Sequence, residues 1–371
     1  MPMKKALQLS GKVNMISQFC IPNIKLLQQL GYSVSVESDF TDPGTITREN
    51  SDEFRRGLEK INVGVYDISF PRSLNPLLLY SAYKNTRRII SREKFDLIHC
   101  HSPIGAAVCR LAARKERRNG TYVIYTAHGF HFYTGAPLKN WLIYYPVEKI
   151  LSKHTDMLIT INKEDYQRAQ RKFKISRIEY VPGVGIDTER FSPGAGNREK
   201  IRTELGISDG KIMLLSVGEL NKNKNHEMVI RALKGLDIEY VIVGKGLLEQ
   251  RLRDVAKECG VSLHLTGFRN DVIDFYSAAD VYVLPSIREG LNVSLMEAMA
   301  CGLPVACSNI RGNVDLIDYP LFDPKNESEL REAVVKAIDN REELSRKNLE
   351  RIREYDLKNV EKIMYRLYEG R

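Results

Sequence analysis

The chain has 371 residues, 43% of them hydrophobic and 28% charged, which is globular composition and enough for two domains of ordinary size. No apolar run is long enough to cross a bilayer, residues 1–10 carry charge without a signal-peptide core, and the six cysteines include no C-x-x-C pair, so a cytoplasmic protein with reduced thiols is expected. The net charge of +9 is unevenly placed, with +12 in residues 1–180 and −3 in the remainder; the basic half suits an anionic surface such as a membrane, nucleic acid or phosphorylated acceptor, or is a solvated face.

In chain order, Lys4 to Leu9 is a strand candidate. Gly11-Lys12-Val13-Asn14 turns into a helix carrying Ile16, Phe19, Ile24, Leu27 and Leu30, ended by Gly31, and Tyr32 to Glu37 alternates as a second strand. This is a βαβ start without G-x-G-x-x-G, which counts against a dinucleotide-dependent oxidoreductase. A polar loop and a helix through Leu58 follow, then a strand from Val63 to Phe70. The helix after Asn75 leads to a strand from Phe95 to His101. Its His99 and His101 share a face, but no third metal ligand is evident. The next helix, after Pro103, carries Arg110, Arg114, Lys115, Arg117 and Arg118 as a candidate basic stripe.

The strand from Thr121 to Ala127 ends in His128-Gly129-Phe130-His131, at the strand end where α/β folds bind ligands. His131 competes with His128 for that position, and a purely structural His128 is the plainer reading. Trp141, Leu142, Tyr144 and Tyr145 suit either a membrane interface or the core. After strands at Met157 to Asn162 and Ile178 to Val181, Pro182-Gly183-Val184-Gly185 is the best linker and sets domains at 1–184 and 185–354. The pattern then restarts with strands at Lys211 to Val217, Ile238 to Val243 and Ser262 to Leu265, and the polar turn Gly218 to His226 offers Lys224 as a phosphate counter-charge.

The second half centres on Val281 to Gly302. A buried strand ends at Leu284, Glu289-Gly290 turns, Asn292 is a plausible N-cap, Leu295, Met296 and Met299 give a helical face, and Gly302 with Pro304 stops it. Backbone N–H groups at such a turn favour an anion, typically phosphate, and Glu289 and Glu297 flank the point. The competing reading is an ordinary turn with solvated glutamates. One more strand, Pro304 to Cys307, precedes a mostly helical stretch from Glu327.

Glu289 and Glu297, with seven residues between them in the EG…EAMACG…P frame, resemble the E-x7-E motif of retaining GT-B glycosyltransferases of family 4. HCHSPIGA, YTAHGFHFY and ITINKEDY resemble the capsular and exopolysaccharide, EpsD-like branch, and the match covers nearly the whole chain. The resemblance implies an α/β fold of two Rossmann-like domains with a cleft between them, helix 355–371 packing back on the first. It implies that Glu289 faces the donor sugar, that Gly290, Leu291, Asn292, Val293 and Ser294 hold sugar and phosphate, and that Glu297 takes the ribose. Gly218, Glu219, Lys224, Gly244 and Arg269 complete the donor side, His128 lies beside the reacting sugar, and Gly11, Lys12 and His131 face the acceptor. The catalytic residues so implied are His128, Glu289 and Lys224. Two departures stand out: Glu219 occupies a place where many members carry Arg, and the N-terminal loop lacks their paired glycines. The implied reaction moves a sugar from a nucleotide donor, UDP-linked, to a polyprenyl-pyrophosphate-linked saccharide on an anionic membrane, without metal or other cofactor. A GT-B epimerase or phosphorylase is the alternative. Nucleic-acid binding leaves the glutamate pair unexplained and is not expected.

Overall fold

Short apolar runs bounded by glycine, proline or asparagine turns become twelve strands among the residues, 3–371, that the computed structural model describes. The chain folds as two compact units, Met1–Val184 with Val360–Arg371, and Gly185–Asn359.

The first unit holds seven strands, β1 (Lys4–Leu9), β2 (Tyr32–Ser38), β3 (Gly64–Asp67), β4 (Leu97–His101), β5 (Tyr122–Ala127), β6 (Met157–Thr160) and β7 (Arg177–Tyr180). They pair in the order β3-β2-β1-β4-β5-β6-β7, every pair parallel. A parallel sheet needs crossover helices on both faces, so its strands are buried on both. Successive residues accordingly feed different cores. Ala6 and Leu97 join one cluster with Val13, Ile24 and the C-terminal Met364 and Leu367; Leu7, Leu9, Ile98 and Cys100 join the other with Ile90 and Phe132.

The second unit holds β8 (Ile212–Val217), β9 (Ile238–Val243), β10 (Ser262–Leu265), β11 (Val281–Leu284) and β12 (Val305–Cys307), ordered β10-β9-β8-β11-β12 and again all parallel. Met213 and Leu215 face one core and Leu214 the other. In each unit the winding direction reverses once, between β1 and β4 in the first and between β8 and β11 in the second. The crevice beyond the carboxyl ends of such a pair is where open α/β sheets take ligands.

Three expectations need correction. The helix expected to run unbroken from Ile16 to Leu30 is two, Val13–Phe19 and Ile21–Gln29, because Pro22 lies in the first turn of the second and cannot donate to the preceding turn. The strand expected from Val63 to Phe70 is only Gly64–Asp67; Phe70 is instead held through its N–H by Asp39 Oδ2 at 3.1 Å. The return to the first unit falls at Val360 rather than 355. Residues 355–357 stay with the second unit because Ile186 N donates to Tyr355 O (2.9 Å) and Leu357 N to Ile186 O (2.8 Å).

Candidate active site

In the second unit the turns after β8 and β11 are laced together. Ile287 N donates to Asn223 O (2.8 Å), Asn223 Nδ2 to Arg288 O (2.9 Å), and Asn225 Nδ2 to Pro285 O (3.3 Å). Asn225 does this from the left-handed region, φ +56°, which asparagine tolerates better than most residues. The lacing brings Lys224 to Glu289, Nζ to Oε1 2.8 Å, with both side chains mostly buried. Sequence reasoning placed both at the site, and the structure joins them as an ion pair at the winding reversal.

Gly218 lies against the Lys224 side chain, where an added Cβ would meet Cε at 3.0 Å. Gly244 packs backbone to backbone on Gly218, where a Cβ would stand 1.8 Å from its carbonyl oxygen. These glycines let the turns close up. Glu219 is exposed and accepts from Asn221 Nδ2 at 3.0 Å.

The helix Val293–Ala300 begins as its sequence suggests: Asn292 is the N-cap, and its Oδ1 accepts from Leu295 N at 3.0 Å. Ser294 Oγ is 2.7 Å from Asn292 Oδ1 and from the Tyr282 hydroxyl, so it braces the cap. Gly290, Leu291 and Val293 complete the turn, and Glu289 O accepts from Arg311 Nε at 3.3 Å. Glu297 accepts from the Tyr276 hydroxyl at Oε2, 2.7 Å. Burial raises its pKa, against the opposing pull of Tyr276 and Arg190. Its Oε1 makes no hydrogen bond with the described residues. Tyr276, Arg190 and Arg311 went unnoticed in the sequence: none lies in the motif, and only the fold brings them to it. Arg269 does not join this network. Asp271 and Glu204 both hold its guanidinium, with Nε 2.8 Å from Asp271 Oδ1, and raise its pKa. It is a bound cation here, not a free one.

In the first unit the turns after β1 and β4 meet at the other reversal. Gly11 N donates to Ser102 Oγ at 3.1 Å, and the two line a cavity of about 550 Å³ with Lys12, Arg72, His131 and Tyr144. This brings together the three residues expected on the acceptor side. Lys12 is not a bare charge: Nζ lies 2.9 Å from Asp39 and 2.7 Å from Asp42. Arg72, then Lys12, holds the Asp42 carboxyl down to about 2. The His131 ring lies 4.5 Å from that of Tyr144. His128 lies apart from this cavity lining, half-buried at the end of β5, its Nε2 3.1 Å from His101 Nδ1, and burial lowers its pKa to about 4. His99 spends both ring nitrogens on Tyr368 and Thr126, at 2.7 Å each.

The basic stripe needs correction as well. Arg110 is buried, bonded to Glu148 through both terminal nitrogens (2.8 and 3.1 Å), with its guanidinium 4.0 Å from the Tyr125 ring centroid. Arg117 pairs with Asp156 at 2.7 Å. Arg114, Lys115 and Arg118 remain exposed. Trp141, Tyr144 and Tyr145 pack on the core, whereas Leu142 is exposed. No helix among the described residues is long and apolar enough to cross a membrane.

Residues 24–190 match the family described as Glycosyltransferase Family 4, and residues 197–356 that described as Glycosyl transferases group 1. EpsD of Bacillus subtilis (strain 168), named as a glycosyltransferase, is 37% identical over 309 residues, 81% of this chain and 77% of its own. A UDP-Gal:alpha-D-GlcNAc-diphosphoundecaprenol alpha-1,3-galactosyltransferase of Escherichia coli is 32% identical over 251 residues, 64% of this chain and 63% of its own. Anabaena Alr3699/HepE, solved in complex with UDP, superposes over the full length of both chains with a TM-score of 0.78 at 18% identity, a likeness of fold. Relatives, family matches and fold agree with one another, and the chain belongs to the GT-B glycosyltransferases of family 4.

Proposed function

We propose that the chain transfers a sugar, with retention at the anomeric carbon, from a UDP-linked donor to a polyprenyl-diphosphate-linked saccharide in exopolysaccharide or other cell-surface glycan synthesis. The observation that carries the reading is the Lys224–Glu289 pair at the winding reversal of the second unit, with Glu297 one helix turn inside the same motif. A diphosphate leaving group develops negative charge as its bond to the sugar breaks. Lys224 and the N–H groups at the start of Val293–Ala300 would meet that charge without reorganising. Glu289 would take sugar hydroxyls and Glu297 Oε1 those of the ribose, since a carboxylate oxygen can only accept. The donor is assigned to the second unit and the acceptor to the cavity around Gly11, Lys12 and His131 in the first.

UDP is chosen because the fold neighbour from Anabaena was solved with it and the Escherichia coli relative is named for it; that relative's name also supplies the lipid diphosphate acceptor. No metal is assigned to the diphosphate, since lysine and helix amides serve there. Activity should persist in EDTA, and complete loss restored by manganese would overturn this part.

Membrane contact is proposed for a different surface than the basic stripe. Leu74, Leu77, Leu78 and Tyr80 around the start of the Pro76–Glu93 helix are exposed, Leu77 to 81%, as are Leu138 and Leu142 of the Leu138–Leu151 helix. Residues from both segments, Leu74 and Tyr144, line the acceptor cavity. Exposed apolar groups beside a site for a lipid-borne substrate favour docking on a bilayer, with nearby Lys84, Arg87 and Lys139 adding about 1 kcal/mol each near an anionic leaflet. Cosedimentation should be stronger with anionic than with neutral vesicles and weaker for Leu77→Ser with Leu142→Ser. Equal recovery from both vesicle types sinks the charge contribution.

The reading as a whole is tested with UDP, which should raise the melting temperature; a ligand at a hundred times its Kd adds about 2.7 kcal/mol to the folded state. A UDP-sugar incubated without acceptor should return unchanged, whereas conversion to an epimer would replace transfer with epimerisation.

A further inference from the structure

The carboxyl ends of β1, β4 and β5 share a buried chain of polar groups that the proposed reaction leaves unused. Gln8 on β1 donates from Nε2 to the Tyr368 hydroxyl (3.4 Å) and offers Oε1 to His101 Nε2 (3.0 Å). Tyr368, from the C-terminal helix, lies 2.7 Å from His99 Nδ1, and His99 Nε2 lies 2.7 Å from Thr126 Oγ1. The far end is the 3.1 Å contact of His101 Nδ1 with His128 Nε2. Gln8, His99, His101 and Tyr368 are buried to within 2%.

Burial holds the pKa of all three histidines below the ordinary value, so near neutral pH each ring is uncharged and carries one N–H. With the Gln8 amide oriented this way, proton counting fixes the rest of the chain. With its amide N–H turned to Tyr368, Gln8 presents its carbonyl to His101, and a carbonyl only accepts. The His101 proton therefore sits on Nε2 and its lone pair on Nδ1. The contact with His128 is a hydrogen bond only if His128 Nε2 carries the proton. That places the His128 lone pair on Nδ1, which makes no hydrogen bond with the described residues. At the other end, Tyr368 accepts from Gln8 and so donates to His99 Nδ1, leaving the His99 proton on Nε2, facing Thr126. One other arrangement satisfies every group, with the Gln8 amide flipped and each histidine proton moved to Nδ1. No mixed arrangement does so, and leaving a buried polar group unpaired is costly.

We infer that Gln8 and Tyr368 are positioning residues that set the tautomer of His128, holding the proton on Nε2 so that Nδ1 presents a lone pair to a hydroxyl-bearing substrate. The link to substrate rests on the transferase reading; the tautomer does not. A lone pair accepts from a sugar hydroxyl and repels a phosphate or carbonyl oxygen, which narrows what the histidine can recognise.

Nitrogen NMR of the full chain labelled at its seven histidines tests this, with the His128 signals identified by their loss in His128→Asn. The expected wild-type spectrum has a pyridine-type Nδ1 and a pyrrole-type Nε2 at both His101 and His128; a pyrrole-type Nδ1 at His128 overturns the proposal. Gln8→Leu removes the carbonyl and should shift His128 Nδ1 towards the pyrrole type or a mixture. Tyr368→Phe, which keeps the ring, should do the same by releasing the Gln8 amide, and it serves if Gln8→Leu does not fold. A His128 tautomer unchanged in the folded variants would show that the relay does not set it. UDP binding measured on the same samples reports on the donor reading separately. Failure to bind UDP with the expected tautomer present removes the transferase reading alone, and the wrong tautomer with UDP bound removes the relay alone.

Discussion

Glu37, at the carboxyl end of β2, is wholly buried. The Thr86 hydroxyl donates to Oε1, while Oε2 has no hydrogen-bond partner among the described residues. Burial outweighs the Thr86 bond and raises the pKa from 4.5 to about 7. A carboxyl whose pKa is raised on folding binds its proton more tightly in the folded chain. Its contribution is therefore fully present below 4.5 and is lost as the pH rises through 7. At about 1.4 kcal/mol per tenfold change in proton affinity, the loss amounts to roughly 3 kcal/mol. Glu37→Gln keeps the shape and cannot ionise, so it should escape the loss. Urea unfolding of both proteins at several pH values between about 5 and 8 should show the variant gaining on wild type by roughly 2.5 kcal/mol over that range. Taking the difference cancels every other titrating group common to both. Parallel pH profiles would mean that the carboxyl is ionised in the folded chain, and the burial argument would be refuted.

Other perturbations probe the donor site and the core. Glu297→Ala should weaken UDP binding about 10- to 100-fold by calorimetry, since hydrogen bonds to a charged group contribute about 1.5–3 kcal/mol; unchanged affinity would place the ribose elsewhere. Lys224→Met should lower turnover by about a hundredfold or more in steady-state kinetics, the effect of losing one preorganised partner of a developing anion. Arg110→Met should cost about 3–5 kcal/mol of unfolding free energy, because Glu148 would be left buried and unpaired, and adding Glu148→Met should recover most of it.

What could be read beforehand follows from how local each cause is. The parallel strands were legible because burial on both faces leaves an uninterrupted apolar run, as in Val281–Leu284. The Asn292 cap was legible because it acts within three residues. The cavity around Gly11 draws on local and distant parts of the chain: Gly11 and Lys12 follow β1 directly, but Ser102 and Arg72 reach it only through the winding order. Arg110 was misread because a charged side chain in a basic run looks solvated, and its partner Glu148 lies on another helix. The same distance hid Tyr276 from Glu297 and Tyr368 from His99. Arg269 is held by Asp271, a pairing only two residues long that the local sequence already carries.

The segment Val360–Arg371 belongs to the first unit, although the 175 residues of Gly185–Asn359 separate it from the rest. Val360, Met364, Leu367 and Tyr368 share a core cluster with Ala6, Val34 and Leu97 of that unit's sheet. On a ribosome adding about 5–20 residues per second, the sheet waits roughly ten to thirty-five seconds for this cover after its last strand has emerged. During that interval the cluster that holds Ala6, Val34 and Leu97 is short of its four C-terminal members. The half of the enzyme made first is therefore completed only after the other half has been translated, and its nascent form is a natural client for a chaperone.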